Sequence, residues 1–261
     1  MSTPTSTSTS EQLAGEVDAL ARQLRLPHLR KAAADVLPTA KAQRWDPAEV
    51  VRVLLDEEAQ GRAAATIRNR HHRAGFPAGK TFDSWHEHAS TIPTATQQAL
   101  RGLEWLDRGE NLAVVGPSGT GKSHLLEALG HTAIDAGRTV AWFTIEGLGR
   151  LVAGHRADDT VTKAINRAIK ADLVVIDDIG LLPVPTEAAE ALFRVIDAAY
   201  ERRSIAISSN VHPGGFDELL PATIATAAVD RFMHHAHIVM TEGDSYRFAQ
   251  ARDGKGLTPL T

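Results

Sequence analysis

The sequence contains no cysteine, which excludes disulfides, cysteine-ligated zinc and thiol nucleophiles. It has no run of roughly 18 or more apolar residues, so no membrane-crossing helix is expected. The opening MSTPTSTSTS lacks the basic start and apolar core of a secretory signal, and a cytoplasmic protein is expected. Aromatic residues make up only 5% of the chain, and Trp45, Trp85, Trp105 and Trp142 read first as packing residues. Neither sign of charge dominates: 28 Lys and Arg stand against 32 Asp and Glu, a formal net charge of −4. Read as a whole, that balance argues mildly against a nucleic-acid partner. What is present is an ordinary globular composition over 261 residues, enough for one large domain or a domain with a small appendage.

The charge is not evenly spread. Residues 1–60 are net −2, residues 81–261 are net −7, and residues 61–80 hold five basic side chains with no acid. These are Arg62, Arg68, Arg70, Arg73 and Lys80, with His71 and His72 beside them. Such a run can be merely a solvated helix face. It also suits phosphate, because guanidinium groups pair bidentately with phosphate oxygens. Arg62, Arg68, Arg70 and Arg73 are therefore the candidate DNA-backbone contacts, without implied base specificity.

Hydrophobic periodicity divides the chain into a Ser/Thr-rich tail over 1–10, expected to be disordered, and a helical region over 11–80. Leu13, Val17, Leu20 and Leu24 mark a first helix, and a short second one starts near Leu29. Asp46-Pro47 then opens a third helix running to Ala74, stopped by Gly75. From 81 to 248 short apolar runs alternate with helical patterns, leaving 249–261 as a tail. Strands are expected at 111–115, 139–144, 172–176, 204–208 and 236–240, and helices at about 121–136, 145–153, 158–169, 186–202 and 222–233. This alternation predicts an α/β fold with a parallel five-stranded sheet flanked by helices.

The first strand runs directly into GPSGTGKS, which satisfies G-x-x-x-x-G-K-[ST] between a strand and a helix. Gly116, Gly119 and Gly121 let the backbone turn tightly around phosphates, with Pro117, Ser118 and Thr120 between them. Successive N–H groups and the following helix N-terminus form an anion site reaching His124. Lys122 would reach the β- and γ-phosphates of ATP, and the Ser123 hydroxyl would ligate Mg2+. The strand DLVVIDDIG ends in two acids. Asp177 is the expected Mg2+ partner and Asp178 the group that polarises the attacking water. Asp178 stands where many ATPases carry the longer Glu.

Four further readings are less determined by the residues alone. Asn210, ending the fourth strand, either orients water against the γ-phosphate or simply favours the turn before Val211-His212-Pro213. Arg231 is either an arginine finger supplied to a neighbouring subunit or a helix-terminal cation. Arg247 is a candidate phosphate sensor. Phe82 or Trp85 is a candidate wall for adenine. His234, His235 and His237 resemble a metal cluster, but no carboxylate or cysteine spacing completes one. Ser118 is no hydrolase nucleophile, since the G-x-S-x-G pattern fails at Thr120.

Taken in order, RAGFP (73–77), LDRGENLAVVGPSGTGKSHLLEALG (106–130), DLVVIDDIG (172–180), Ser208-Ser209-Asn210, VDRFMHHAHIV (229–239) and GDSYR (243–247) resemble the IstB-like helper ATPases of insertion-sequence transposition. That family is related to DnaC-type replicative helicase loaders. The resemblance implies an AAA+ fold with a small all-α N-terminal domain and a minimal or absent lid. It also implies duplex-DNA binding, ATP-dependent homo-oligomers that deform target DNA, DNA-stimulated hydrolysis and recruitment of a transposase. By position it gives Lys122 and Ser123 to phosphate and Mg2+, Asp177 to Mg2+, Asp178 to water, Asn210 to the γ-phosphate and Arg231 to the neighbouring subunit. The alternative is a helicase loader of the DnaC type, and a third possibility is an ATP-binding protein with dead catalysis.

Overall fold

In the computed structural model, residues 6–156, 160–180 and 184–246 are described. The chain divides into two compact units, Met1–Asn69 and Arg70–Thr261.

The first unit contains α1 (Ser6–Gln23), α2 (Pro27–Gln43) and most of α3 (Pro47–Ala74). Helix α1 begins five residues inside the segment expected to be disordered. Once a helix is nucleated, each added residue gains a hydrogen bond at little cost, so the amphipathic segment can extend backwards through Ser and Thr. Helix α2 is longer than expected because Pro38 is accommodated within it. Pro38 and Ala34, whose carbonyl loses its partner, both lie on the exposed side. The Asp46 carboxylate accepts the Ala48 N–H at 2.8 Å, the cap that starts α3. Glu58, buried on α3, accepts the N–H groups of His28 and Leu29 at 2.9 and 2.8 Å, closing the free N-terminus of α2. The leucine row of α1 and the residue just past it face outward instead of packing: Leu13 and Leu20 on the helix and Leu24 beyond it are 56%, 55% and 64% exposed, while Ala21 is buried.

The division falls inside α3, eleven residues before the boundary drawn from the sequence. The last turn of α3 belongs with the second unit, because Phe76 and His71 pack there on His131, with ring centroids 4.2 and 4.9 Å apart.

The second unit continues through a 3-10 turn (Phe82–Ser84), α4 (Thr94–Arg101) and α5 (Glu104–Asp107). Then come β1 (Asn111–Val115), α6 (Lys122–Asp135), β2 (Val140–Thr144), α7 (Ile145–Arg156) and α8 (Val161–Ala168). The rest are β3 (Leu173–Ile179), α9 (Thr186–Ala199), β4 (Ser204–Ser209), α10 (Ala222–Met233) and β5 (Ala236–Met240). The strands form one parallel sheet in the order β2-β3-β4-β1-β5. Alternate residues sort to its two faces. Ala113, Val115, Val174, Ile176, Ile205 and Ile207 join a core with α7, α9 and α10. The intervening Leu112, Val114, Leu173, Val175 and Ala206 are also buried, on the face crossed by α6. Both faces are thus covered, which is why the strands read as continuous apolar runs. Among the described residues no helix is long and apolar enough to cross a membrane.

Candidate functional site

The site forms where β1, β3 and β4 end, the crevice at which open parallel sheets bind ligands. β1 runs into the glycine loop and then into α6, whose N-terminus points its free N–H groups at the turn. Gly116 has φ +150°, and a Cβ there would lie 2.0 Å from the Thr241 carbonyl oxygen. Gly121 has φ +93°, and its Cβ would press on the Trp85 ring at 3.0 Å. Both positions therefore need glycine for conformation and for space.

The side chains of the loop close on one another. Lys122 is only 7% exposed, and its ammonium donates to the carbonyls of Gly116 and Pro117 and to Asn210 Oδ1, each at 2.8 Å. Ser123 Oγ donates to Asp177 Oδ1 at 2.9 Å. Thr120 Oγ1 lies 2.9 Å from the Pro117 carbonyl and 2.7 Å from Thr241 Oγ1. A cleft of about 630 Å³ opens over them, lined by Ser118, Gly119, His124, Asp178, Tyr246 and Trp85 among others. Lys122, Ser123, Asp177, Asp178 and Asn210, expected from three separate segments to work together, do meet around one cleft.

β3 continues three residues past the expected end, through both acids to Ile179. Asp177 is buried at 4% exposure, and Asp178 is exposed with φ +64°. A second cavity of about 620 Å³ shares Asp178 and is lined by Ile145, Glu146, Arg150, Pro185 and Glu187.

His124 borders the cleft. Its Nε2 is 3.1 Å from the Thr81 carbonyl oxygen and 3.2 Å from Ser84 Oγ, and its ring meets Trp85 edge-on at 5.1 Å. Burial holds its pKa below the usual imidazole value, so the neutral ring is favoured. Of the two aromatic candidates, Trp85 lines the cleft. Phe82 does not, because the Arg101 guanidinium covers its ring at 3.9 Å.

Arg231 lies away from this cleft. It lies on α10 by the sheet's other end, where the Asn111 side chain donates to the Phe232 carbonyl and β5 pairs Ala236 with Asn111. Five residues of strand, about 13 Å, separate that end from the glycine loop. Arg231 pairs with Asp197 at 3.0 Å and lies over Phe193. Arg247 lies outside the described residues.

The fold also supplies what histidine spacing lacked. Glu201 brings a carboxylate so close that its ligand atom and those of His234 and His235 lie within 4.8 Å of one another, all three exposed. Tyr200 Oη already sits 3.1 Å from His234 Nδ1, and His237 pairs instead with Glu110 at 2.6 Å.

In the basic block, Arg62 is engaged locally. It bonds Glu58 at 2.7 Å and the Arg25 carbonyl at 2.7 Å. Arg68 and Arg73 are exposed and Arg70 half-buried, and no ion pair holds these three among the described residues.

Sequence reasoning missed Ser208 and Thr241. Ser208 is fully buried and bonds both acids of β3. Thr241 is 1% exposed, and its N–H donates to the Val115 carbonyl at 2.7 Å, bracing the loop. Ser208 opens the Ser208-Ser209-Asn210 segment, but nothing in the sequence shows which face its hydroxyl takes.

A strand that feeds a glycine loop, with a buried Lys and a Ser–Asp pair behind it, is the geometry of a nucleotide-binding P-loop. Residues 19–254 match the family model described as IstB-like ATP binding protein. The chain belongs to that family. It is 29% identical to an insertion sequence IS21 ATP-binding protein of Pseudomonas aeruginosa, covering 94% of each chain. It is 32% identical to an insertion sequence ATP-binding protein of Sinorhizobium fredii, over 89% of this chain and 79% of that one. Among solved structures, AMPPCP-bound DnaA from Aquifex aeolicus superposes with a TM-score of 0.52 at 23% identity, covering 69% of this chain and 56% of that one. Domain III of the Thermotoga maritima replication initiation protein DnaA gives 0.52 at 20% identity, covering 69% and 74%. These two likenesses show the fold, a parallel α/β sheet flanked by helices. Family membership carries ATP binding, ATPase chemistry and insertion-sequence transposition as the setting.

Proposed function

We propose that this family member is an ATP-dependent DNA-binding helper of transposition, which multimerises on duplex DNA, remodels the target and recruits and stimulates the transposase. The observation that carries the reading is the convergence of Lys122, Ser123, Asp177 and Asn210 beside the glycine loop. Lys122 is pre-organised by three acceptors, which phosphate oxygens replace when ATP enters. Asp178 is the base that polarises water, and Asn210, bonded to Lys122, orients that water against the γ-phosphate. Two hard oxygen donors 2.9 Å apart, Ser123 Oγ and Asp177 Oδ1, fit Mg2+, which takes few protein ligands. When bound, Mg2+ supplies charge neutralisation on the phosphates. Arg231, remote from its own loop, is the finger for a neighbouring protomer.

The DNA path is assigned to Arg68, Arg70 and Arg73, whose guanidiniums carry no acid partner among the described residues. Arg62 contributes mainly by holding Glu58. Residues 11–80 are the DNA- and partner-binding region, and the exposed leucine row of α1 supports a protein partner there.

The test is phosphate release and sedimentation of the full chain with ATP and Mg2+, with duplex DNA, single-stranded DNA or none. Duplex-stimulated turnover with ATP-dependent multimers on duplex is expected. A preference for single strands would favour the helicase-loader alternative, and absence of DNA binding with ATP would sink both. Co-purification with the transposase of the same insertion sequence tests recruitment.

A further inference from the structure

Strands β3 and β4 pair in register from Leu173 opposite Ser204 to Ile176 opposite Ile207, then resume at Ile179 opposite Ser209. Between those points two residues, Asp177 and Asp178, face one, Ser208. This is a β-bulge, which ordinarily leaves the extra residue outside the ladder and re-aims a side chain. Asp178 takes the left-handed backbone conformation at φ +64°, disfavoured for any residue with a Cβ, though less so for Asp.

Ser208 is 0% exposed. Its oxygen accepts the Asp178 N–H at 3.0 Å, the amide that the bulge takes out of register. Its proton is donated to Asp177 Oδ1 in a short bond. The same Oδ1 accepts Ser123 Oγ at 2.9 Å. A hydroxyl offers one donor and two lone pairs, so one side chain satisfies both demands at once. An alanine here would remove the acceptor of the Asp178 N–H and free one side of a buried carboxylate.

We propose that Ser208 is a positioning residue for ATP hydrolysis. Through one hydroxyl it orients the Asp177 carboxylate and fastens the bulge that aims Asp178 into the cleft. The proposal rests on the reading of Asp177 and Asp178 given above and deepens it. Ser208 touches no substrate and acts only through the two acids. A threonine keeps the hydroxyl and suits a strand, so it is the conservative replacement.

The experiment compares the full chain with Ser208→Ala and Ser208→Thr by steady-state hydrolysis, by Mn2+ affinity in the presence of a non-hydrolysable ATP analogue, and by amide exchange at Asp178. For Ser208→Ala, kcat is expected to fall about 10- to 100-fold with KM little changed, and Mn2+ affinity to fall about tenfold. The Asp178 amide loses its protection. Ser208→Thr restores all three. An unchanged kcat in Ser208→Ala, or equal loss in Ala and Thr, overturns the proposal. If Ser208→Ala does not fold, an Asp178 amide that exchanges without protection in the unaltered chain overturns it, and a protected amide with normal kcat in Ser208→Thr supports it. If the unaltered chain turns over no ATP, the functional reading fails by itself. Mn2+ affinity and amide exchange then still decide the role of Ser208, unchanged values in Ser208→Ala overturning it.

Discussion

At the C-terminal ends of β1, β3 and β4, Lys122 and Asp177 are 7% and 4% exposed and each is bonded by more than one partner. At the other end of the same sheet Arg108, Glu110 and His237 form a cluster that stays in water. The difference is not one of local strength: Arg108, then His237, lowers the Glu110 carboxyl to about 2. It is one of desolvation. Exposed pairs are screened and contribute little to stability, whereas buried polar groups must be fully partnered. A fold keeps such groups inside where chemistry needs them. Arg231, 35% exposed in its side chain and paired with Asp197, belongs by position to the exposed end. By the proposed function it belongs to the buried end of a neighbour.

That double assignment gives the largest expected effect. Arg231→Ala should lower kcat about 10³-fold in the DNA-bound assembly and leave ATP affinity unchanged. Mixing Arg231→Ala with Lys122→Ala protomers should recover part of the activity, since each supplies the half-site the other lacks. Full activity in Arg231→Ala would return Arg231 to the group of surface ion pairs. Next in size, Lys122→Ala should weaken ATP binding about 100-fold, read by titration with a fluorescent ATP analogue. Glu110→Gln at the exposed end should leave that titration unchanged.

The basic block makes the same contrast on one helix. Replacing Arg68, Arg70 and Arg73 together by Ala should reduce the slope of log affinity for duplex against log salt by about 3, with ATP binding intact. Arg62→Ala should change that slope less and instead lower the melting temperature, because Glu58 and the Arg25 carbonyl lose their partner. An equal slope change for Arg62 would mean that its local bonds open on DNA.

How much of this was legible depends on the origin of each signal. β1 and β5 were read to the residue, because an apolar run bounded by polar turns depends only on local sequence. The loop and its strand–turn–helix setting were legible for the same reason. β3 was cut short at Ile176 because two acids end the apolar pattern, although the ladder resumes beyond them at Ile179. The roles of Ser208, Thr241 and Glu201 depend on which segments the fold brings together, and spacing along the chain does not encode that. The leucine row of α1 shows the converse error: helical periodicity marked a face correctly but not what covers it.

The smallest effect concerns His131, a half-buried group near the C-terminal end of α6 that serves packing. Its Nδ1 is 2.9 Å from His71 Nδ1, His71 Nε2 is 3.0 Å from Asp135 Oδ1, and His131 Nε2 is buried without a hydrogen-bond partner among the described residues. If His71 Nε2–H donates to Asp135, His71 Nδ1 accepts from His131, and a second proton on His131 would create an unpaired buried N–H. Burial, then the neighbouring His71, accordingly lowers the His131 pKa. The unfolded chain therefore takes up this proton first. The stability that neutral His131 contributes is whole above the ordinary imidazole pKa and is lost as pH falls below it toward the lowered folded value. Urea midpoints of the full chain, followed by tryptophan fluorescence, should drop between about pH 7.5 and about pH 5.5, and drop less in His131→Gln. His124 titrates with the same sign, so the diagnostic quantity is the difference between the two chains. Equal drops would mean that the His71–His131 contact opens on protonation without cost, and that this packed pair behaves like the exposed Arg108–Glu110–His237 cluster.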